Sequence, residues 1–133
     1  VIIVDLGTAT VLGAVSAKKE FLGGTISPGI RISMEVLQSA TAKLPTVEIT
    51  KRVSALGKNT IECIQSGLYF GHLGMIKELS GRLKTECFAN QNVTLIATGG
   101  FCHLFSDEKI FDAVEPILAL KGIVYAFQLN LKK

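Results

Sequence analysis

Val1-Ile2-Ile3-Val4-Asp5-Leu6-Gly7-Thr8-Ala9-Thr10 opens the chain and decides how the rest is read. Four apolar residues, all of them β-branched, predict a strand buried on both faces. The strand ends on an Asp, a Gly and a Thr. A carboxylate at the tip of a buried strand can hold a cation or its waters. The Gly lets backbone N–H groups approach phosphate oxygens, and the Thr adds a hydroxyl. A hairpin turn uses the same residue types, so the ten residues alone leave both readings open.

The chain has 133 residues, enough for one domain with a core of its own. It is 48% hydrophobic and only 19% charged, with mean hydropathy +0.43, so part of its surface is expected to be covered. The most apolar late segment, Ile117 to Phe127, is too short to span a membrane and carries Lys121 and Gly122. A net charge of +3 without basic clusters gives no support to a nucleic-acid or membrane-surface partner. Cys63, Cys87 and Cys102 show no CxxC or metal-ligand spacing and read as buried thiols of a reducing, cytoplasmic compartment. Val1 already lies inside the expected strand and no Met precedes it, which reads as a fragment of a longer chain.

Thr10 to Ser16 predicts a second strand and Phe21-Leu22-Gly23-Gly24 the start of a third, an antiparallel meander joined by a polar turn at 17–20. Gly23-Gly24-Thr25-Ile26-Ser27-Pro28-Gly29 is expected to interrupt that strand as a loop. Ile30, Met34, Leu37 and Ala40 then share one helical face. Leu44 to Arg52, with Pro45, reads as extended or loop. Asn59 is an N-cap with Glu62 at capping-box spacing. The helix it opens has Ile61, Ile64, Leu68, Met75, Leu79 and Leu83 as its apolar stripe. Gly67, Gly71 and Gly74 predict either close approach of another backbone or a break, with Ser66 and Gly81 as further break points. Asn92 to Thr98 reads as a buried strand running into Thr98-Gly99-Gly100, followed by a short helix through Phe105 and a short strand within 111–114. Pro116 suits the first turn of a closing helix whose core side would be Ile117, Leu120, Ile123, Val124 and Phe127.

Meander, helices, strand, helix, short strand, helix is the element order of a ribonuclease-H-like α/β domain, with a mixed sheet and flanking helices. Ligands in open α/β sheets collect at the carboxyl ends of central strands. Three Gly-rich signals fall at such expected ends: Asp5-Leu6-Gly7-Thr8, Gly23 to Gly29, and Thr98-Gly99-Gly100.

Together these residues resemble type III pantothenate kinase, a family of the actin–hexokinase–sugar-kinase superfamily with the actin-like ATPase fold. Asp5-Leu6-Gly7-Thr8-Ala9-Thr10 is similar to its second phosphate motif, and Gly23 to Ile30 to its Gly-Gly-x-Ile-x-Pro-Gly signature. Asn59-Thr60 with Gln65-Ser66-Gly67 and Gly71 resembles its helix start. Ala97-Thr98-Gly99-Gly100 is similar to its adenosine-side loop, and Val114-Glu115-Pro116-Ile117-Leu118 with Gly122 to its C-terminal helix.

The resemblance implies ATP-dependent phosphorylation of pantothenate, the first step of coenzyme A biosynthesis, in an intact two-domain protein. Residues 1–133 would be one domain, the C-terminal half. The absent N-terminal half would carry another Asp-x-Gly-Asn-Thr loop and, just before Val1, a Gly-x-Asp-Arg whose Asp is the general base. The resemblance assigns Asp5 to a monovalent cation, potassium or ammonium. Gly7, Thr8, Gly99 and Gly100 would bind ATP, and Thr60 pantothenate. It implies a homodimer formed chiefly through this domain. No catalytic residue is identified in this chain, which alone should be inactive. Two positions depart from the family pattern: Val11 stands in place of a Thr and Gly13 in place of an Asp. A non-catalytic or regulatory homologue, or another small-molecule kinase of the superfamily, therefore stays open. His72 and His103 have no partner at suggestive spacing and read as surface or helix-end histidines.

Overall fold

The computed structural model describes residues 1–89 and 91–131. The chain forms β1 (Ile2–Leu6), β2 (Ala9–Val15), β3 (Phe21–Pro28), α1 (Ile30–Ser39), α2 (Thr60–Phe88), β4 (Leu95–Thr98), a 3-10 helix (Cys102–Glu108), β5 (Ala113–Val114) and α3 (Leu118–Leu131). The five strands make one mixed sheet in the order β3-β2-β1-β4-β5. β1 pairs antiparallel with β2 and parallel with β4. The parallel pair needs a long crossover, and α1, the irregular stretch after it and α2 supply it. The α/β class with a mixed sheet, meander and flanking helices is as expected.

β1 sits in the middle, but its two faces differ. Ile2, Val4 and Leu6 are buried against the helices, whereas Ile3 and Asp5 on the other face are half-buried. The expectation of a strand buried on both faces is corrected to one closed face. The closed core joins Ile2, Val4, Leu6, Leu12 and Leu95 of the sheet to Ile64, Leu68, Tyr69, Leu73 and Ile76 of α2, with Phe105 at its edge. Tyr69 and Phe105 stack with ring centroids 5.2 Å apart.

Three further expectations change. Gly23 to Pro28 is not a loop but the body of β3, paired with β2 from Phe21 to Pro28. A Cβ on Gly24 would overlap the Leu12 backbone, so the glycine admits close pairing rather than a turn. α2 is a single helix with no break at Ser66 or Gly81. The Ser66 hydroxyl donates to the Ala55 carbonyl at 2.5 Å, outside the helix, so it does not compete with the helical ladder. Of the expected stripe of α2, Ile64, Leu68 and Leu83 are buried and Ile61 is exposed, while Tyr69, Leu73 and Ile76 widen the buried face.

The Asn59 cap is as expected, its Oδ1 accepting from the Glu62 N–H at 3.0 Å. Glu62 reaches back to the Lys58 N–H at 2.9 Å, one residue before the cap. At the C-terminal end, Pro116 lies in a turn before α3 rather than in its first helical turn. The assigned core side of α3 is overturned: no residue of the helix is buried, and Leu120, Ile123 and Phe127 are 60–65% exposed. No helix among the described residues is long and apolar enough to cross a membrane.

Candidate functional site

The carboxyl ends of β1 and β4 lie side by side, with Asp5 paired to Thr98 across the parallel ladder. Gly7 turns the chain out of β1, its N–H donating to the Ala9 carbonyl at 3.1 Å. The Phe101 N–H donates to the Leu6 carbonyl at 3.0 Å, which folds the segment after β4 back over the end of β1. Gly99 has φ +89°, and a Cβ there would overlap the Leu6 backbone and contact Asp5 Oδ1. A Cβ on Gly7 would lie 3.4 Å from the same carboxylate oxygen. The Asp5 carboxylate is thus flanked by two positions without side chains, one of which tolerates no other residue.

β3 closes the other side. The Gly29 N–H donates to the Thr8 carbonyl at 3.1 Å, and a Cβ on Gly29 would overlap the carbonyl oxygens of Gly7 and Thr8. Asp5, Gly7, Thr8, Gly29 and Gly99 therefore form one cluster at the carboxyl ends of β1 and β4. Gly100 is exposed beside it, with open space where a Cβ would stand. Among the described residues no three His, Cys, Asp or Glu side chains gather as a metal site.

Thr60 is not in this cluster. It begins α2 at the rim of an open groove of about 750 Å³ between α1 and α2, walled by Val36, Leu37, Ile64, Leu68 and Met75. Gly67 and Gly71 line the groove with nothing within 4 Å of where a Cβ would stand. Neither a close backbone nor a helix break accounts for these glycines; among the described residues they widen the groove. Pro28 lines the same groove and adjoins Gly29, so the β3–α1 junction is what joins groove and cluster.

Val11, the first departure from the family pattern, is the direct cross-strand partner of Asp5 on β2. Gly13 pairs with Ile3 and Gly24, one step further from the cluster on the same half-covered face.

The 3-10 helix is fixed to α2 from beneath. The buried Tyr69 hydroxyl donates to Glu108 Oε1, and Lys51 Nζ bonds Asp107 at 3.1 Å. Burial pushes the Tyr69 hydroxyl well above its ordinary range, and the Glu108 hydrogen bond and the charges of Glu108 and Asp107 push the same way. The cysteines divide: Cys63 is exposed, Cys87 half-buried and only Cys102 fully buried, which corrects the expectation of three buried thiols. Burial raises the Cys102 thiol, backbone hydrogen bonds oppose it, and the charges of Asp5 and Glu115 add to the rise, so it is a packing residue. Lys121 bonds Glu115 at 2.5 Å and holds that carboxyl below the usual range.

Two residues outside the expected set belong to this arrangement. Gly29 was legible in its Pro-Gly setting. His72 was not: it is buried in mid-helix rather than at a surface or helix end, with Nδ1 2.9 Å from the Leu68 carbonyl and Nε2 3.4 Å from that of Pro28. Only packing brings β3 to it. His103 is exposed, as expected.

The class comes first from the fold. Over 99% of this chain and 59% of the other, the structure matches a conserved protein from Campylobacter jejuni, assigned by its description to the Baf family of transcriptional activators, with TM-score 0.72 and 20% identity. That likeness establishes a shared α/β fold. The sequence is more specific. A model of the type III pantothenate kinase family matches residues 1–82, and the chain belongs to that family. It is 48% identical over 130 residues to type III pantothenate kinase of Legionella pneumophila strain Corby, covering 98% of this chain and 51% of the relative. The same figures hold for type III pantothenate kinase 1 of Francisella tularensis subsp. holarctica strain OSU18. The chain spans about half the length of the curated relatives it matches.

Proposed function

We propose that this chain is the C-terminal domain of a two-domain, ATP-dependent pantothenate kinase with the ribonuclease-H-like, actin-like ATPase fold, acting in coenzyme A biosynthesis. The observation that carries the reading is the single cluster of Asp5, Gly7, Thr8, Gly29 and Gly99 where β1 and β4 end side by side. Phosphoryl transfer depends on positioning and charge neutralisation more than on covalent chemistry from the protein. Gly7, which has no side chain, would let phosphates approach the turn, Thr8 would offer its hydroxyl to them, and Gly99 and Gly100 would leave backbone open for the nucleoside side. Asp5 would hold potassium or ammonium, whose charge would offset repulsion among the phosphates. Thr60, the first residue of α2, would donate to the pantothenate carboxylate at the helix N-terminus.

The general base and the other phosphate loop belong, on this proposal, to the N-terminal half. The unburied apolar face of α3 supports a covering partner of that kind. A homodimer through this domain and a cytoplasmic location complete the proposal, the open α1–α2 groove supporting the dimer. A second reading, a homologue that kept the fold without catalysis, is favoured by one observation: apolar Val11 faces Asp5 where the family carries a hydroxyl.

Calorimetric titration of the full-length protein with ATP in potassium and in sodium separates the two. The kinase reading expects heat that is larger in potassium and a loss of that difference in Asp5→Asn. It also expects pantothenate-dependent ADP release by the full-length protein but not by residues 1–133. No nucleotide heat in either salt overturns it in favour of the non-catalytic homologue.

A further inference from the structure

His72 links the two halves of the site described above. Its Nδ1 faces the Leu68 carbonyl at 2.9 Å, on its own helix, and its Nε2 faces the Pro28 carbonyl at 3.4 Å, across on β3. Both partners are carbonyls, which only accept, and a neutral ring carries a single N–H, so it is the tautomer with that N–H on Nε2 that donates to the Pro28 carbonyl. Pro28 is the residue before Gly29, whose N–H donates to the Thr8 carbonyl and whose missing Cβ lets it rest on Gly7 and Thr8. On its other side the ring closes against Leu6, Gly7, Thr10, Phe101 and Phe105, with no room for a water. The imidazole therefore stands between α2, which begins with Thr60, and the backbone on which the Gly7–Thr8 loop rests.

We propose that His72 is a positioning residue that, through the Pro28 carbonyl, holds the β3–α1 junction and the Gly7–Thr8 loop against α2 in the geometry that receives nucleotide phosphates. The proposal rests on the nucleotide role given to Gly7 and Thr8 under the proposed function. Were His72 only a filler of space, an apolar side chain of similar size would serve as well. A polar role requires a donor at the Nε2 position.

The test is ATP affinity of the full-length protein by calorimetry, for the unsubstituted protein, His72→Leu and His72→Gln. Leucine fills comparable volume without a donor, while glutamine carries an amide N–H toward the Nε2 position. Loss of one hydrogen bond predicts that His72→Leu weakens ATP binding roughly 2- to 10-fold. His72→Gln should recover most of that loss, and the KM for pantothenate should move less than the Kd for ATP. His72→Leu binding ATP as tightly as the unsubstituted protein overturns the proposal, as does a His72→Gln no tighter than His72→Leu. Should the Leu variant fail to fold, His72→Asn, which reaches only the Leu68 carbonyl, takes its place with the same two outcomes. ATP binding without pantothenate-dependent ADP release overturns the kinase reading and leaves His72 judged by the ATP Kd. No ATP binding by the unsubstituted protein overturns both.

Discussion

Gly99→Ala tests whether the end of β4 is shaped around Asp5. At φ +89° an L-residue carries strain of about 1–2 kcal/mol. The added Cβ would also stand 2.7 Å from the Leu6 carbonyl carbon and 2.8 Å from the Leu6 nitrogen, besides meeting Asp5 Oδ1. Those are backbone atoms of the central strand, which cannot swing aside as a side-chain tip can. Overpacking of this kind typically costs about 1–3 kcal/mol. The two effects sum to roughly 2–5 kcal/mol, a large part of the about 5–15 kcal/mol by which domains are stable. Equilibrium urea unfolding followed by circular dichroism reads the loss directly. Gly100→Ala is the internal control, because open space lies where its Cβ would stand, and its change should stay within about 0.5 kcal/mol. ATP heat in potassium should fall with Gly99→Ala. Two variants of equal stability would refute the packing argument, since it depends on the difference between adjacent glycines.

Tyr69→Phe should destabilise the fold by about 1–3 kcal/mol by removing a charge-assisted hydrogen bond to Glu108, checked by thermal unfolding. Because folding raises the Tyr69 pKa above its ordinary value near 10, that residue's contribution is intact below about pH 10 and lost as pH rises through the folded pKa. The Phe variant should lack this alkaline loss. Asn59→Ala removes the cap on the Glu62 N–H and should cost about 1 kcal/mol in urea unfolding while leaving ATP heat unchanged. Leu120→Glu with Val124→Glu should leave the unfolding midpoint of residues 1–133 unchanged, both positions being exposed. In the full-length protein, where the proposal has this face covered, the pair should cost about 1.5–3 kcal/mol per side chain.

Local chemistry sufficed for much of this. The apolar run of Val1 to Val4, the Asn59 cap with Glu62, and the ordered Gly motifs each act over a few residues, where backbone geometry and hydrogen-bonding capacity leave few options. They determined the α/β order, the start of α2 and the family resemblance.

Elsewhere one local pattern admitted two structures, and only the tertiary fold chose. Gly23-Gly24 has the composition of a loop, yet β2 pairs along its whole length because glycine also permits the closest strand approach. Ser66 could have broken α2, but the Ala55 carbonyl takes its hydroxyl. His72 had only the carbonyl of Leu68 within reach along its own helix; its other contact, the Pro28 carbonyl, comes from β3. The apolar stripe of α3 promised burial, since periodicity encodes which face seeks cover, not what supplies it. Asp5-Leu6-Gly7-Thr8 was readable as a phosphate turn or a hairpin. What resolved its surroundings was the parallel pairing of β1 with β4, which brings Gly99 against the Asp5 carboxylate, and the antiparallel pairing of β2 with β3, which brings Gly29 against Thr8. Residue types fix what each segment can do locally, but which groups meet is settled by packing the sheet and its helices into one core.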